Sequence, residues 1–233
     1  VKTAIVTGAS RGIGFALADR LLEKGFCVYG ISRTKSPLVS NMNFHQVDCD
    51  LLDTEKLKRV VEEIRSGASS IDLLINNAGI GAFGPHEQIP VDTLQKLIRL
   101  NLEAPILLCR LFLRDLKKSK GHIINVSSVT AKKVSTHGCA YAATKAGLSH
   151  FSESLFEEVR KSGVKVTVLQ PDITASSFYD EQDFTYVDES DLVIQPKEIG
   201  DALEYVLNAS EYMNVQELTL RPQRNQIQRK SRE

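Results

Sequence analysis

Tyr141 and Lys145 lie four residues apart in a segment of helical character. At that spacing a phenol and an ammonium share one helix face. A positive charge beside a phenol favours the phenolate and draws its pKa down from an ordinary value of about 10. A phenol moved toward neutrality can pass a proton to or from a substrate oxygen. Upstream, Gly121-His122-Ile123-Ile124-Asn125-Val126 reads as a buried strand ending in two hydroxyls, Ser127 and Ser128. Hydroxyls at the carboxyl end of a strand in an α/β sheet sit where ligands bind. An isolated Tyr-x-x-x-Lys pair is an ordinary surface feature, so its surroundings must decide its meaning.

The second chemical signal is Thr7-Gly8-Ala9-Ser10-Arg11-Gly12-Ile13-Gly14, between an apolar strand at 2–7 and a helical pattern through Phe15, Leu17, Ala18, Leu21 and Leu22. Glycines so placed allow a tight turn in which the backbone approaches a pyrophosphate lying at the helix N-terminus. No Gly-Lys-Ser/Thr follows, so this is not a P-loop. The second strand, 26–32, is followed by Ser32-Arg33-Thr34-Lys35, with no Asp or Glu to hold a ribose 2′-hydroxyl. Arg11 and Arg33 instead suit a 2′-phosphate, which accepts charge-assisted bonds from guanidinium groups. The expected cofactor is NADP(H). Past a third strand at 43–47, Asp48 or Asp50 could cap the following helix or touch an adenine, and Asp53 is placed as the cap.

The elements that must position these groups alternate. Further strands are expected at 71–75, 164–169 and 215–220, and helices at 54–65, 92–118, 140–162 and 197–207. This alternation predicts a single α/β domain over 1–233, a doubly wound parallel sheet of about seven strands with helices on both faces. In the long helix, Leu94, Leu97, Ile98, Asn101, Pro105, Leu108 and Phe112 form one stripe. Pro105 deprives the Asn101 carbonyl of its helical N–H, so that carbonyl needs a water or side chain, or turns to solvent. The fourth strand ends in Asn76-Asn77-Ala78-Gly79, small and amide residues that leave room for a cofactor. Residues 178–195 are acidic and partly aromatic, and from Arg221 a polar, basic tail is expected to fray.

Composition narrows the classes. With 29 Lys and Arg against 29 Asp and Glu, the net charge is zero, which gives no global reason for nucleic-acid or membrane binding. The four cysteines are scattered without metal-ligand spacing and read as reduced thiols, so no metal site and a cytoplasmic setting are expected. No apolar run is long enough for a membrane span, and no signal peptide is expected at the opening strand.

Taken together, the glycine turn, Asn76-Asn77-Ala78-Gly79, Asn101, Ser128, Tyr141 and Lys145 resemble the short-chain dehydrogenase/reductase family over nearly the whole chain. Ser128 stands 13 residues before Tyr141 and Asn101 stands 40 before it, as in that family. The resemblance implies a homodimer or homotetramer acting on a small carbonyl or alcohol. Tyr141 would be its general acid/base, Lys145 would lower the Tyr141 pKa and hold the nicotinamide ribose, and Ser128 would hold the substrate oxygen. The Asn101 carbonyl would bind a water leading to Lys145. Cofactor contacts are implied for Gly8, Ser10, Arg11, Gly12, Ile13 and Gly14, and for Asp50 and Leu51 at the adenine. Asn77, Ala78 and Gly79 would flank the adenosine, and Pro171, Thr174 and Ser176 the carboxamide and phosphates.

One departure stands out: Asp172 follows Pro171 where the family has Gly. It would cap or hydrogen-bond locally, or repel carboxylate substrates. Residues 178–195 would be the substrate lid, whose carboxylates form a solvated face or favour a cationic substrate. Two rival functions are a 3-oxoacyl-(acyl carrier protein) reductase, for which Lys132 and Lys133 would be a docking patch, and a non-catalytic NADP(H) sensor.

Overall fold

The computed structural model describes residues 1–230. Its centre is β1 (Thr3–Thr7), buried at every position. Ile5 packs into one apolar cluster while Ala4 and Val6 pack into another, as strand alternation requires when both sheet faces are covered. The remaining strands are β2 (Cys27–Ser32), β3 (Phe44–Asp48), β4 (Leu73–Asn76), β5 (His122–Val126), β6 (Lys165–Pro171), β7 (Phe184–Tyr186), β8 (Glu217–Leu220) and β9 (Ile227–Arg229). Seven of them form one sheet in the order β3-β2-β1-β4-β5-β6-β8, parallel at every pairing. The order reverses between β1 and β4, and a crevice opens outside the strand carboxyl ends at such a point.

The helices are α1 (Gly12–Glu23), α2 (Thr54–Gly67), α3 (Val91–Ile98), α4 (Ala104–Ser119), α5 (Cys139–Val159) and α6 (Pro196–Leu207). Leu57, Ile64, Leu108, Phe112, Leu116 and Val159 bring α2, α4 and α5 onto one face of the sheet. Leu17, Leu21, Ile199 and Leu203 bring α1 and α6 onto the other. Each such fully buried side chain contributes roughly 1.5–3 kcal/mol. The stripe on α4 is therefore core. Caps set the limits: Asp53 accepts from the Lys56 N–H at 2.9 Å, and Gln195 and Glu198 form a capping box around Pro196.

Three expectations need correction. The long helix is not continuous: a π-helical turn, Arg99–Glu103, separates α3 from α4, and the Ala104 N–H donates to the Arg99 carbonyl. The extra residue offsets the helical phase by about 100°. Within the expected stripe Leu97 is fully buried, whereas Ile98, at the end of α3, is 49% exposed. The tail does not fray through its described part: β9 pairs antiparallel with β7, beyond the strand expected to be last at 215–220. Residues 231–233 of that tail lie outside the described residues. The acidic stretch is no purely solvated face, because Asp191 and Glu189 pair with Arg224 of the tail. No helix among the described residues is long and apolar enough to cross a membrane.

Candidate active site

The glycine turn is built by steric demand. Gly8 and Gly12 hold φ of 70° and 57°, where L side chains are strained. A Cβ on Gly14 would lie 2.2 Å from the Gly8 carbonyl oxygen, so only hydrogen lets α1 start against the end of β1. No side chain caps α1 and no acidic residue occupies its first turn, which leaves the N-terminal N–H groups directed at the crevice. Across the switch point, the Thr7 hydroxyl accepts from the N–H groups of Asn77 and Ala78 at 2.9 and 3.0 Å, and the Asn77 amide donates to the Thr7 carbonyl at 2.9 Å. Thr7 opens the glycine motif in the sequence, but its part in joining β1 to the loop after β4 shows only in the structure.

The crevice encloses about 540 Å³. Its wall contains Gly8, Ser10, Arg11, Gly12, Ile13 and Gly14, then Arg33, Asp50 and Leu51, then Asn77, Ala78 and Gly79. Ser128, Tyr141, Lys145, Pro171, Thr174 and Ser176 line it as well. Thr34 donates to the Ser10 hydroxyl at 2.9 Å, which draws together the loops bearing Arg11 and Arg33. Arg33 makes one ion pair among the described residues, a long 3.9 Å contact with Asp50. Asp50 itself accepts from the Leu52 N–H at 3.0 Å.

Asn101 stands behind this wall. Its side-chain oxygen accepts from the Ile80 N–H at 2.9 Å and its amide donates to the Ile80 carbonyl at 2.8 Å. A Cβ on Gly79 would meet Asn101 Oδ1 at 3.1 Å and Lys145 Nζ at 3.7 Å, so these two groups close on the same glycine. The sequence pointed to the Asn101 carbonyl; the side chain, gripping the loop after β4, was not foreseen.

Beyond β5 the extended chain turns successive hydroxyls in opposite directions. Ser127 donates to the Lys145 carbonyl at 2.9 Å and meets the Ser149 hydroxyl at 2.9 Å, which commits it to α5. Ser128 caps the short helix after it, accepting from the Thr130 N–H, and stands beside Tyr141. Tyr141 and Lys145 are 8% and 5% exposed, with the ammonium 5.7 Å from the ring centroid. Lys145 Nζ donates to the Val126 carbonyl at 2.9 Å.

The expected lowering of the Tyr141 pKa is not what this packing gives. Burial pushes the phenol above its ordinary value, Tyr179 adds to the rise, and only the Ser128 hydroxyl opposes it. Burial also drives Lys145 down to about 8. The physical reason is desolvation, which disfavours both charged forms and outweighs the attraction between them. Tyr141 thus keeps its proton at neutral pH.

Aromatic rings cover the phenol. Phe83 and Phe178 lie 5.3 and 5.8 Å from the Tyr141 ring, and Phe184 packs edge-on to Phe83 at 5.1 Å. Asp172, the departure from the family pattern, accepts from the Ile173 N–H at 2.9 Å and from Arg221 Nε at 3.2 Å. Its carboxylate is thereby committed to local hydrogen bonding and to the tail. Lys132, half of the expected docking patch, is ion-paired to Glu217.

A family model described as short chain dehydrogenase matches residues 2–185. An uncharacterized oxidoreductase of Staphylococcus aureus strain MW2 is 30% identical over 231 residues, covering 95% of this chain and 97% of the relative. One from Staphylococcus saprophyticus is 29% identical with the same coverage. Among solved structures, a metagenomic short-chain oxidoreductase in complex with NADP is 30% identical, with a TM-score of 0.81 and coverage of 95% and 96%. An alcohol dehydrogenase from the archaeon Thermococcus sibiricus, complexed with 5-hydroxy-NADP, has a TM-score of 0.87 at 23% identity, covering 95% and 96%, a likeness of fold.

Proposed function

The chain belongs to the short-chain dehydrogenase family, and on that premise we propose that it is an NADP(H)-dependent reductase of small aldehydes or ketones. The observation that carries this reading is the buried Tyr141 phenol beside Lys145 and Ser128, under aromatic rings, in a crevice that opens at the switch point of the sheet.

The crevice suits a dinucleotide. Gly8, Gly12 and Gly14 leave a cradle that any Cβ would obstruct, and the α1 N-terminus offers unpaired N–H groups for a pyrophosphate. Arg11 and Arg33 would take a 2′-phosphate, Asp50 and Leu51 the adenine, and Asn77, Ala78 and Gly79 the adenosine side. Pro171, Thr174 and Ser176, which also line the crevice, would hold the carboxamide and phosphates. When bound, the nicotinamide supplies the hydride. The protein supplies position and a proton.

Ser128 donates a hydrogen bond to the substrate carbonyl oxygen and holds it beside the phenol. Tyr141 then delivers its proton to that oxygen as negative charge develops there. Lys145, protonated below about pH 8, stabilises the phenolate left behind. Asn101 fixes the loop after β4 through Ile80 and so fixes the floor against which Lys145 rests. In the reverse direction Tyr141 would act as base; its raised pKa favours its use as an acid.

The test is direct. NADPH titration by fluorescence should give micromolar binding with NADH much weaker. Arg33→Ala should weaken NADPH by about tenfold or more while leaving NADH nearly unchanged, the loss expected of a charge-assisted bond. Tyr141→Phe should bind NADPH normally and lose turnover by roughly 10²- to 10⁴-fold on a carbonyl panel. Equal affinity for NADH would refute the cofactor assignment, and full turnover by Tyr141→Phe would refute the mechanism.

A further inference from the structure

The acidic lid and the basic tail close over the crevice as one unit. β7 pairs with β9 so that Phe184 lies opposite Arg229 and Tyr186 opposite Ile227. Opposed residues of an antiparallel pair share a face, and alternation puts Phe184, Tyr186, Ile227 and Arg229 on the same side. Phe184 touches Phe83, which in turn touches Tyr141, so this side faces the phenol. Asn225 and Ile227 line the crevice itself. Ile227 is 55% exposed, an apolar side chain at the mouth where a substrate would cover it.

The tail's charges fasten it. Arg224 holds Asp191 with two prongs, the second at 3.0 Å, and its N–H donates to the Asp191 carbonyl at 2.8 Å. Lys230 Nζ donates to the carbonyls of Tyr179 and Asp180 at 2.6 and 2.8 Å, and its N–H to the Asp183 carbonyl at 2.9 Å. Asp172 takes Arg221 at 3.2 Å and the Asn225 amide at 3.4 Å. A two-stranded ribbon is marginal alone, and a one-residue slip would turn Ile227 away from the crevice. These contacts fix the register at both ends of the segment. They also give the Asp172 carboxylate its partners in the tail.

We propose that β9 is a built-in wall of the substrate pocket, in which Ile227, with Phe83, Phe178 and Phe184, selects a carbonyl compound bearing an aromatic or branched apolar substituent. Asp172 is the positioning residue of that wall. The inference rests on the reductase reading above.

The experiment uses the full chain with NADPH, and acetophenone and acetone as probes. Wild type should prefer acetophenone by about 100-fold or more in kcat/KM, the range that apolar burial of a phenyl group supplies. Ile227→Ala should raise KM for acetophenone about five- to tenfold, leaving the NADPH Kd and the KM for acetone within about twofold. Asp172→Gly should shift the same acetophenone-to-acetone preference in the same direction, whereas general loss of folded enzyme would lower both substrates alike and leave the ratio unchanged. An unchanged preference in Ile227→Ala overturns the wall and leaves the reductase reading standing. If neither ketone turns over although NADPH binds, the reductase reading falls, and calorimetric binding of 1-phenylethanol decides the wall. Weaker binding to Ile227→Ala than to wild type upholds it; equal binding, or none, overturns it.

Discussion

Lys145 carries an ammonium that burial resists. It is 5% exposed, and its one protein hydrogen bond among the described residues goes to the Val126 carbonyl. Burial lowers its pKa from 10.5 to about 8. The sign follows by linkage: between pH 8 and 10.5 the unfolded chain holds more protons than the folded one, so stability rises with pH across that window. Below pH 8 the full cost of the buried charge is present. Lys145→Met should therefore fold more stably at pH 7, by about 1–3 kcal/mol, while losing activity. Calorimetry would record this as a Tm higher by roughly 2–4 °C per kcal/mol. A lower Tm would mean that the ammonium is a net stabiliser of the fold.

The π turn between α3 and α4 places Asn101. Pro105 cannot donate to the Asn101 carbonyl, and the chain absorbs this by bonding the Ala104 N–H one residue further back, to Arg99. The turn aims the Asn101 amide at Ile80, which holds the loop carrying Gly79. Pro105→Ala restores the missing donor and should return the segment to α register, drawing the amide away from Ile80. Turnover should then fall roughly 10- to 100-fold, the usual consequence of small misplacement in a catalytic constellation, with the fold retained. Unaltered kcat would show that the π turn is dispensable for placing Asn101.

At the scale of the molecule, a buried histidine helps tie the β8 edge of the sheet to its interior. His122 on β5 meets the Thr167 hydroxyl of β6 at 2.8 Å, and Thr167 donates to the Val215 carbonyl ahead of β8 at 2.6 Å. Burial, assisted by Lys165, pushes His122 from 6.5 down to about 3. Between those values the unfolded chain takes up a proton that the folded one refuses, so stability is lost as pH falls, by about 1.4 kcal/mol per pH unit. Urea midpoints should drop between pH 7 and 4.5, and His122→Asn should flatten that decline by about 2–3 kcal/mol. An identical decline in the variant would exclude His122 as its source. Asp191 acts in the same direction at lower pH: the hydrogen bond from Arg224 holds its carboxyl below the ordinary value, so the stability of that contact is lost only in stronger acid.

The local features were all legible in the sequence. Glycine at 8, 12 and 14, the Tyr141–Lys145 face, the Asp53 cap and the alternation of strands with helices depend on neighbours within a turn or two, where geometry is nearly invariant. The N–H missing at Pro105 was legible for the same reason, but the π turn that absorbs it was not. Only the tertiary structure decided the rest. The sign of the Tyr141 shift was not readable, because the burial that raises it comes from Phe83 and Phe178, brought in from distant segments. Asp172 and the basic tail were unreadable separately, since each is the other's partner across the fold. Periodicity carries no information about which distant strand a short polar segment will pair with; burial and long-range pairing exist only once the chain has packed.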